Sequence, residues 1–489
     1  MILTTVNHDF RYELEKLCRI FLPFEKIEII DTLAEGNAYA NTVCERGEEK
    51  TRLYAALSLF GKTREYETEI ENNSPDYTAD CEREIATCLY HCFCDITGYT
   101  PPWGILTGVR PAKLYSRLAS ANGGEDAEQY FKEKLLVSDE KISLCRETNA
   151  SEEKIVSLSA PESFSLYISI PFCPTRCSYC SFVSHSVEHA KKLIPEYVKL
   201  LCEELKITAG YAARNHLRLE TIYMGGGTPT TLTAEQMDTV LSVVRENFDL
   251  SNLREFTVEA GRPDTITREK LEVIKKNGVD RISINPQTMN DSVLSAIGRR
   301  HTAEETEKAF YLARECGFDN INMDLIAGLP TDTVENYIET LRKALSFSPE
   351  NITVHTLALK RSSTIVTEKR GTNSGETASK MLSITQKALL DEGYIPYYMY
   401  RQSKCLGNLE NVGWAKKGYE GLYNVYMMEE IHSVFAVGAG AVTKLKAPYD
   451  SSIERVFNYK YPYEYIGSFD EIIKRKEQIK IFYDKYFKG

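Results

Sequence analysis

The sequence predicts an α/β protein: a partial (β/α)6 TIM-like barrel with an N-terminal α+β domain and a C-terminal α+β extension. Three observations carry that prediction. Apolar, β-rich runs alternate with helical patterns from about residue 165 to 360, polar or glycine residues recur where those runs end, and the pattern before residue 160 differs in kind. The expected divisions are 1–160, 161–375 and 376–489.

In the first division, short strands are expected at 26–31 and 52–60 and an amphipathic helix at 80–97. A Pro-Pro-Trp-Gly turn at 101–104 leads into the segment 105–111, and further helical sequence is expected at 126–136 and 151–158. Arg110, on a turn bounded by glycine and proline, reads as a solvated charge or, alternatively, as a contact to the next domain or its ligand; the solvated reading is preferred. No catalytic signature stands out in this division.

In the second division, strands are expected at 165–170, 221–224, 256–259, 281–285, 320–326 and 352–359. Between them lie helical patterns at 194–209, 234–248, 268–277, 303–316 and 334–347. Strands alternating with helices of this length imply right-handed βαβ units and a parallel sheet. Six strands are too few for a full eight-stranded barrel, so an open partial barrel is expected, with its ligands at the carboxyl ends of the strands.

Composition narrows the function. The 489 residues carry 59 basic and 70 acidic side chains, a net charge of −11. That balance disfavours a nucleic-acid partner, because phosphate binding is driven by lysine and arginine. Thirteen cysteines, an odd count in a chain this long, point to reduced thiols and a cytoplasmic location. No N-terminal basic and apolar targeting pattern is read, and no apolar run is long enough to span a membrane. Cys81, Cys88, Cys92 and Cys94 are read as buried core thiols, since Cys88 and Cys92 fall four apart in a helical pattern.

Cys173, Cys177 and Cys180 are different, because they follow the first barrel strand with C-x3-C-x2-C spacing. Three thiolates can hold three irons of a four-iron cluster and leave the fourth open to a small molecule. Ferredoxin-type clusters use four cysteines each, and no fourth lies nearby; Cys202 falls inside a helical pattern. A Cys3His zinc site using His185 or His189 is the competing reading, although zinc knuckles rarely follow a β-branched apolar strand directly.

The other strand ends agree with a shared site. The second strand runs into Gly225-Gly226-Gly227-Thr228-Pro229-Thr230, where glycines permit close approach and free N–H groups are expected to grip a carboxylate or phosphate. Glu259 lies on the third strand, Gln287 on the fourth, Asp324 on the fifth and Ala358 on the sixth, while Arg299 follows the fourth. Placed at equivalent ends, these groups are expected to converge at one face.

Residues 167–182, 225–230, 278–287 and 322–330 resemble the radical S-adenosylmethionine superfamily. More narrowly, they resemble its oxygen-independent coproporphyrinogen III oxidase family. The N-terminal extension and the segment from Pro396-Tyr397-Tyr398-Met399-Tyr400-Arg401-Gln402 to Val412-Gly413-Trp414 resemble the family's second form, coproporphyrinogen dehydrogenase. The likeness spans about residues 100–445.

The resemblance implies that Cys173, Cys177 and Cys180 ligate a [4Fe-4S] cluster whose open iron binds S-adenosylmethionine. Tyr167, Gly226, Glu259 and Val442 match contacts to that cofactor. Better-studied relatives hold a second S-adenosylmethionine, whose contacts match Tyr179, Gly227, Thr228, Gln287, Arg299, Asp324 and Ala358. Chemically, Glu259 can accept from an ammonium or a ribose hydroxyl, and Arg299 can clamp a carboxylate. The implied reaction uses a 5′-deoxyadenosyl radical to convert two propionates of coproporphyrinogen III into vinyl groups, giving protoporphyrinogen IX in haem biosynthesis. A reductant such as flavodoxin or ferredoxin is implied as a partner.

A tetrapyrrole carrying four carboxylates calls for cations, and Arg361 and Arg401 are taken as candidate propionate contacts, with the division 376–489 covering the substrate. Tyr397, Tyr398 and Tyr400 read as core or as packing for the macrocycle. Phe182 stands where the better-studied oxidase has a further cysteine, as in related haem chaperones. That keeps two alternatives open, a haem-transfer protein and a radical enzyme acting on another tetrapyrrole. Against the chaperone, the chain reads Glu410-Asn411-Val412-Gly413-Trp414, without a His-Asn pair before the tryptophan.

Overall fold

The computed structural model describes residues 1–180, 185–359, 373–402 and 404–486. The chain begins with five strands, β1 (Ile2–Val6), β2 (Glu28–Ile30), β3 (Tyr39–Arg46), β4 (Lys50–Leu59) and β5 (Lys62–Glu71), in the sheet order β2-β1-β3-β4-β5. The helix Tyr77–Thr97 packs on this sheet. Cys88 and Cys92 face a core with Leu3, Leu57 and Phe93, as their helical spacing requires.

An 11-stranded sheet follows. Its centre holds the six parallel strands of the expected barrel: β6 (Ser163–Ile170), β9 (Arg218–Gly226), β10 (Glu255–Glu259), β11 (Arg281–Ser283), β12 (Ile321–Ala327) and β13 (Asn351–Thr356). A short pair, β7 (Phe172–Cys173) and β8 (His185–Ser186), branches off after β6. Four of the crossover helices begin at a threonine cap, Thr233, Thr267, Thr302 or Thr333, whose hydroxyl accepts from a backbone N–H of the first turn. Those caps satisfy donors that a helix start otherwise leaves bare.

Among the described residues, the segment after 376 makes no sheet of its own. β14 (Ile395–Arg401) and β15 (Glu410–Ala415) continue the barrel sheet antiparallel beyond β13. β16 (Ser433–Val437) pairs parallel with β6, and β17 (Val442–Lys446) and β18 (Ile453–Phe457) follow it. Both edges of the barrel sheet are thus occupied by C-terminal strands, which protects them from pairing with other chains.

The expected boundary at 160 cuts through a core. Trp103, Phe131, Ile142 and Cys145 pack with Leu325, Val354 and Trp414 of the barrel sheet, whereas the strands before residue 72 belong to a separate cluster. A helix that was not expected runs over Pro111–Asn122, and the one expected at 151–158 starts much earlier, spanning Asp139–Val156. Proline at the first position of one and Ser138 capping the other are the local reasons. Arg110 is not simply solvated, because its guanidinium lies 3.3 Å from Glu430.

Candidate active site

Parallel strands covered on both faces should be buried throughout, so the exceptions are informative. Leaving aside Arg218 at the amino end of β9, the part-exposed residues are Tyr167 on β6, Tyr223 and Gly226 on β9, Glu259 on β10, Asp324 on β12 and His355 on β13. All of them face one cavity of about 440 Å³ at the carboxyl ends of the strands, a size suited to a small molecule or cofactor.

The same cavity is lined by Cys173, Cys177, Tyr179, Cys180, Gly227, Thr228, Gln287, Arg299 and Ala358. Val442 starts β17 and does not line it. Arg361 lies outside the described residues, as does Phe182. Arg401 points elsewhere: it is 3% exposed, donates to the carbonyl of Leu106 at 2.8 Å, and sits 5.0 Å from the Trp103 ring centroid. A propionate could reach it only by opening that core, so its expected place at the substrate is corrected to a place in the interior. Tyr397 is fully buried, whereas Tyr398 and Tyr400 line the cavity.

The cysteine loop is held by its neighbours. Ser178 N–H donates to the carbonyl of Ile297 at 3.0 Å, and Cys180 N–H to that of Cys177 at 3.1 Å. Thr228 Oγ1 lies 3.5 Å from Cys173 Sγ. The three thiols are unbridged. Among the described residues no three His, Cys, Asp or Glu side chains converge as a single-ion site, and the His185 ring packs against Tyr461 and Tyr463. A four-iron cluster asks less convergence, since each thiolate binds a separate iron. Three unbridged thiols on one cavity wall fit that group.

The glycine run does a different job from the one expected. Gly227 N–H donates to the carbonyl of Ile170 at 2.8 Å, Thr228 N–H to that of Phe172 at 2.7 Å, and Gly226 N–H to Glu259 Oε2 at 3.2 Å. These donors are spent on the protein and are not free to grip an anion. A Cβ on Gly227 would stand 2.6 Å from the Phe172 oxygen, and Gly226 adopts a φ of +105°. The run therefore seats the cysteine loop against β9 by direct backbone contact.

Glu259 also accepts from Tyr223 Oη at 2.5 Å. Burial, reinforced by the Asp324 charge, pushes its carboxyl up to about 7 against those two hydrogen bonds. A cationic ligand would favour the ionised form and find a ready acceptor. Asp324 in turn accepts from Asn322 Nδ2 at 2.7 Å and lies 3.7 Å from His355 Nε2. Gln287 is held at φ +69°, and its buried Oε1 has no hydrogen-bond partner among the described residues, which marks an acceptor waiting for a donor. Arg299 donates to the carbonyl of Asn285 at 2.5 Å and to Tyr179 Oη at 3.3 Å, so much of its fork is already committed.

Sequence reading missed the cover and one wall. The helix Leu422–Glu429 brings Tyr423, Asn424, Met427 and Met428 to the cavity. Tyr423 stacks on Tyr223 at 4.7 Å, with Tyr167 6.3 Å from Tyr223. Arg262, Arg281 and His355 also line the cavity. His355 was the most findable, lying on the sixth strand three residues before Ala358; the helix carried no motif.

Comparison with known proteins adds independent findings. A sequence model of the radical SAM superfamily matches residues 167–344. The oxygen-independent coproporphyrinogen-III oxidase-like protein HemZ of Bacillus subtilis is 40% identical over 421 residues, covering 83% of this chain and 84% of that protein. The heme chaperone HemW of the same organism is 32% identical over 317 residues, 61% of this chain and 77% of its own. Among solved structures, coproporphyrinogen III oxidase (HemN) from Escherichia coli, titled a radical SAM enzyme, matches with a TM-score of 0.52 at 23% identity. It covers 65% of this chain and 71% of that one, a likeness of fold.

Proposed function

Because the chain belongs to the radical S-adenosylmethionine superfamily, in its oxygen-independent coproporphyrinogen III oxidase-like branch, we propose that it oxidatively decarboxylates coproporphyrinogen III propionates to vinyl groups. When bound, a [4Fe-4S] cluster and S-adenosylmethionine supply one-electron C–S cleavage and a carbon radical able to take hydrogen. The observation that carries the reading is the single cavity joining the three cysteines to Glu259, Gln287 and Asp324, together with the 40% identity to a protein named as oxidase-like.

Each wall has its work. Cys173, Cys177 and Cys180 would hold the cluster. Glu259, acting as carboxylate, accepts from a cationic amine, and Gln287 Oε1 offers a second acceptor. Tyr167, Tyr223 and Tyr423 stack into an apolar side that keeps water from the reacting centre. Tyr398, Tyr400, Met427 and Met428 line the cavity toward β14 and the covering helix, and offer flat and adaptable surface for a macrocycle.

Haem transfer is the second reading, favoured by the 32% identity to a heme chaperone and by Phe182. Anaerobic reconstitution followed by incubation with coproporphyrinogen III, S-adenosylmethionine and reductant separates the two. Formation of protoporphyrinogen IX is expected. Accumulation of 5′-deoxyadenosine with no decarboxylated product would sink the oxidase reading, and tight haem binding without cofactor cleavage would establish the other.

A further inference from the structure

Arg262 sits three residues beyond Glu259, on the loop that follows β10, and is 3% exposed. Its backbone is pinned, because Thr265 donates to its carbonyl through N–H at 2.9 Å and through Oγ1 at 2.7 Å. The guanidinium divides its contacts. Nε and Nη2 face the Asp264 carboxylate at 3.2 and 3.3 Å, Nη2 also lies 3.1 Å from Thr175 Oγ1, and Nη1 lies 3.2 Å from Thr175 Oγ1, 3.4 Å from the Thr175 carbonyl and 3.8 Å from Cys177 Sγ.

Holding the loop at Thr175 would need only a neutral donor. A buried guanidinium is an expensive choice for that task, since charge taken out of water must be compensated. Asp264 compensates in part, its side chain being 21% exposed and therefore partly screened by solvent. The remaining field and one N–H are aimed at a cysteine sulfur.

We infer that Arg262 is a redox-tuning residue: its N–H···S contact and its charge raise the reduction potential of the centre that Cys177 ligates. The inference rests on the reading of Cys173, Cys177 and Cys180 as cluster ligands. Reduction adds one negative charge to the cluster and makes its thiolate sulfurs better acceptors. A nearby cationic donor therefore stabilises the reduced form more than the oxidised one, and net charge and hydrogen bonds to sulfur are among the factors that set such potentials.

The test is an EPR-monitored redox titration of anaerobically reconstituted protein with no substrate present. Arg262→Met should make reduction at least tenfold less favourable, a fall of 59 mV or more for one electron, at unchanged iron content. Arg262→Lys, which keeps the charge and loses the fork, should fall less. Asp264→Asn removes the opposing charge and should shift the midpoint the other way, upward. If Arg262→Met fails to load iron, Asp264→Asn alone decides: a rise supports the inference, and a fall or no change overturns it. A fully loaded Arg262→Met protein with an unmoved midpoint overturns it as well. Failure of the unsubstituted protein to take up a cluster would instead bring down the ligand assignment beneath it.

Discussion

Glu259 and Gly227 show what single residues decide here. Glu259 has a carboxyl pushed up to about 7 by burial and the Asp324 charge, so its folded value lies above its unfolded one. Between pH 4.5 and 7 the unfolded chain loses this proton and the folded chain keeps it, so stability falls as pH rises through that window. Binding of a cationic cofactor needs the ionised form. Affinity of the cluster-loaded protein for S-adenosylmethionine, measured by calorimetry, should therefore be roughly tenfold weaker at pH 6 than at pH 8, and Glu259→Gln should bind weakly at both. At Gly227, Gly227→Ala places a methyl group 2.6 Å from one backbone oxygen and 2.7 Å from another. Backbone cannot yield as a flexible side chain does, so a cost of about 1–3 kcal/mol is expected. Iron content after reconstitution should drop, because the displaced backbone is the one leading to Cys173. Glu259 was legible in the sequence as a carboxylate at a strand end. The purpose of Gly227 was not, because its contacts lie more than 50 residues away along the chain.

At the scale of elements, the joint between the helix Asp139–Val156 and β15 depends on a buried pair. Lys141 Nζ lies 2.7 Å from Glu410 Oε1, and Trp103 Nε1 donates to Glu410 Oε2 at 2.6 Å. Burial works to raise the Glu410 carboxyl, but the Lys141 ammonium and these hydrogen bonds prevail and hold it below the usual range. Lys141→Met should destabilise by about 3–5 kcal/mol, because it strands a buried carboxylate. Adding Glu410→Gln should recover much of that loss in denaturant titrations, since the stranded charge is gone. The barrel elements themselves were legible, with strands and helices found within a few residues of their expected ends, because βα alternation is a local pattern. Strands β14 to β18 were not placed, because sheet position depends on pairing with distant segments. Arg401 illustrates the hazard: a cation on a family-like segment, it folds into the core beside Trp103.

For the whole molecule, two hydrophobic clusters hold the barrel sheet together, and the three thiols line its cavity. A Cys173/Cys177/Cys180→Ala protein should lose the brown iron–sulfur absorbance while keeping its far-UV circular dichroism; retention of the absorbance would overturn the ligand assignment. Among the described residues no helix is long and apolar enough to cross a membrane. By itself the sequence determined the barrel and placed the cysteine triad and the polar residues from Gly226 to Ala358 at its strand ends, because ligand spacing and hydrophobic period are properties of neighbouring positions. The tertiary structure decided what surrounds them: the helix Leu422–Glu429 over the cavity, Arg262 beside Cys177, and the donors of the glycine run turned to the protein's own carbonyls. Those depend on contacts between positions far apart in the chain, where no local pattern records which group meets which.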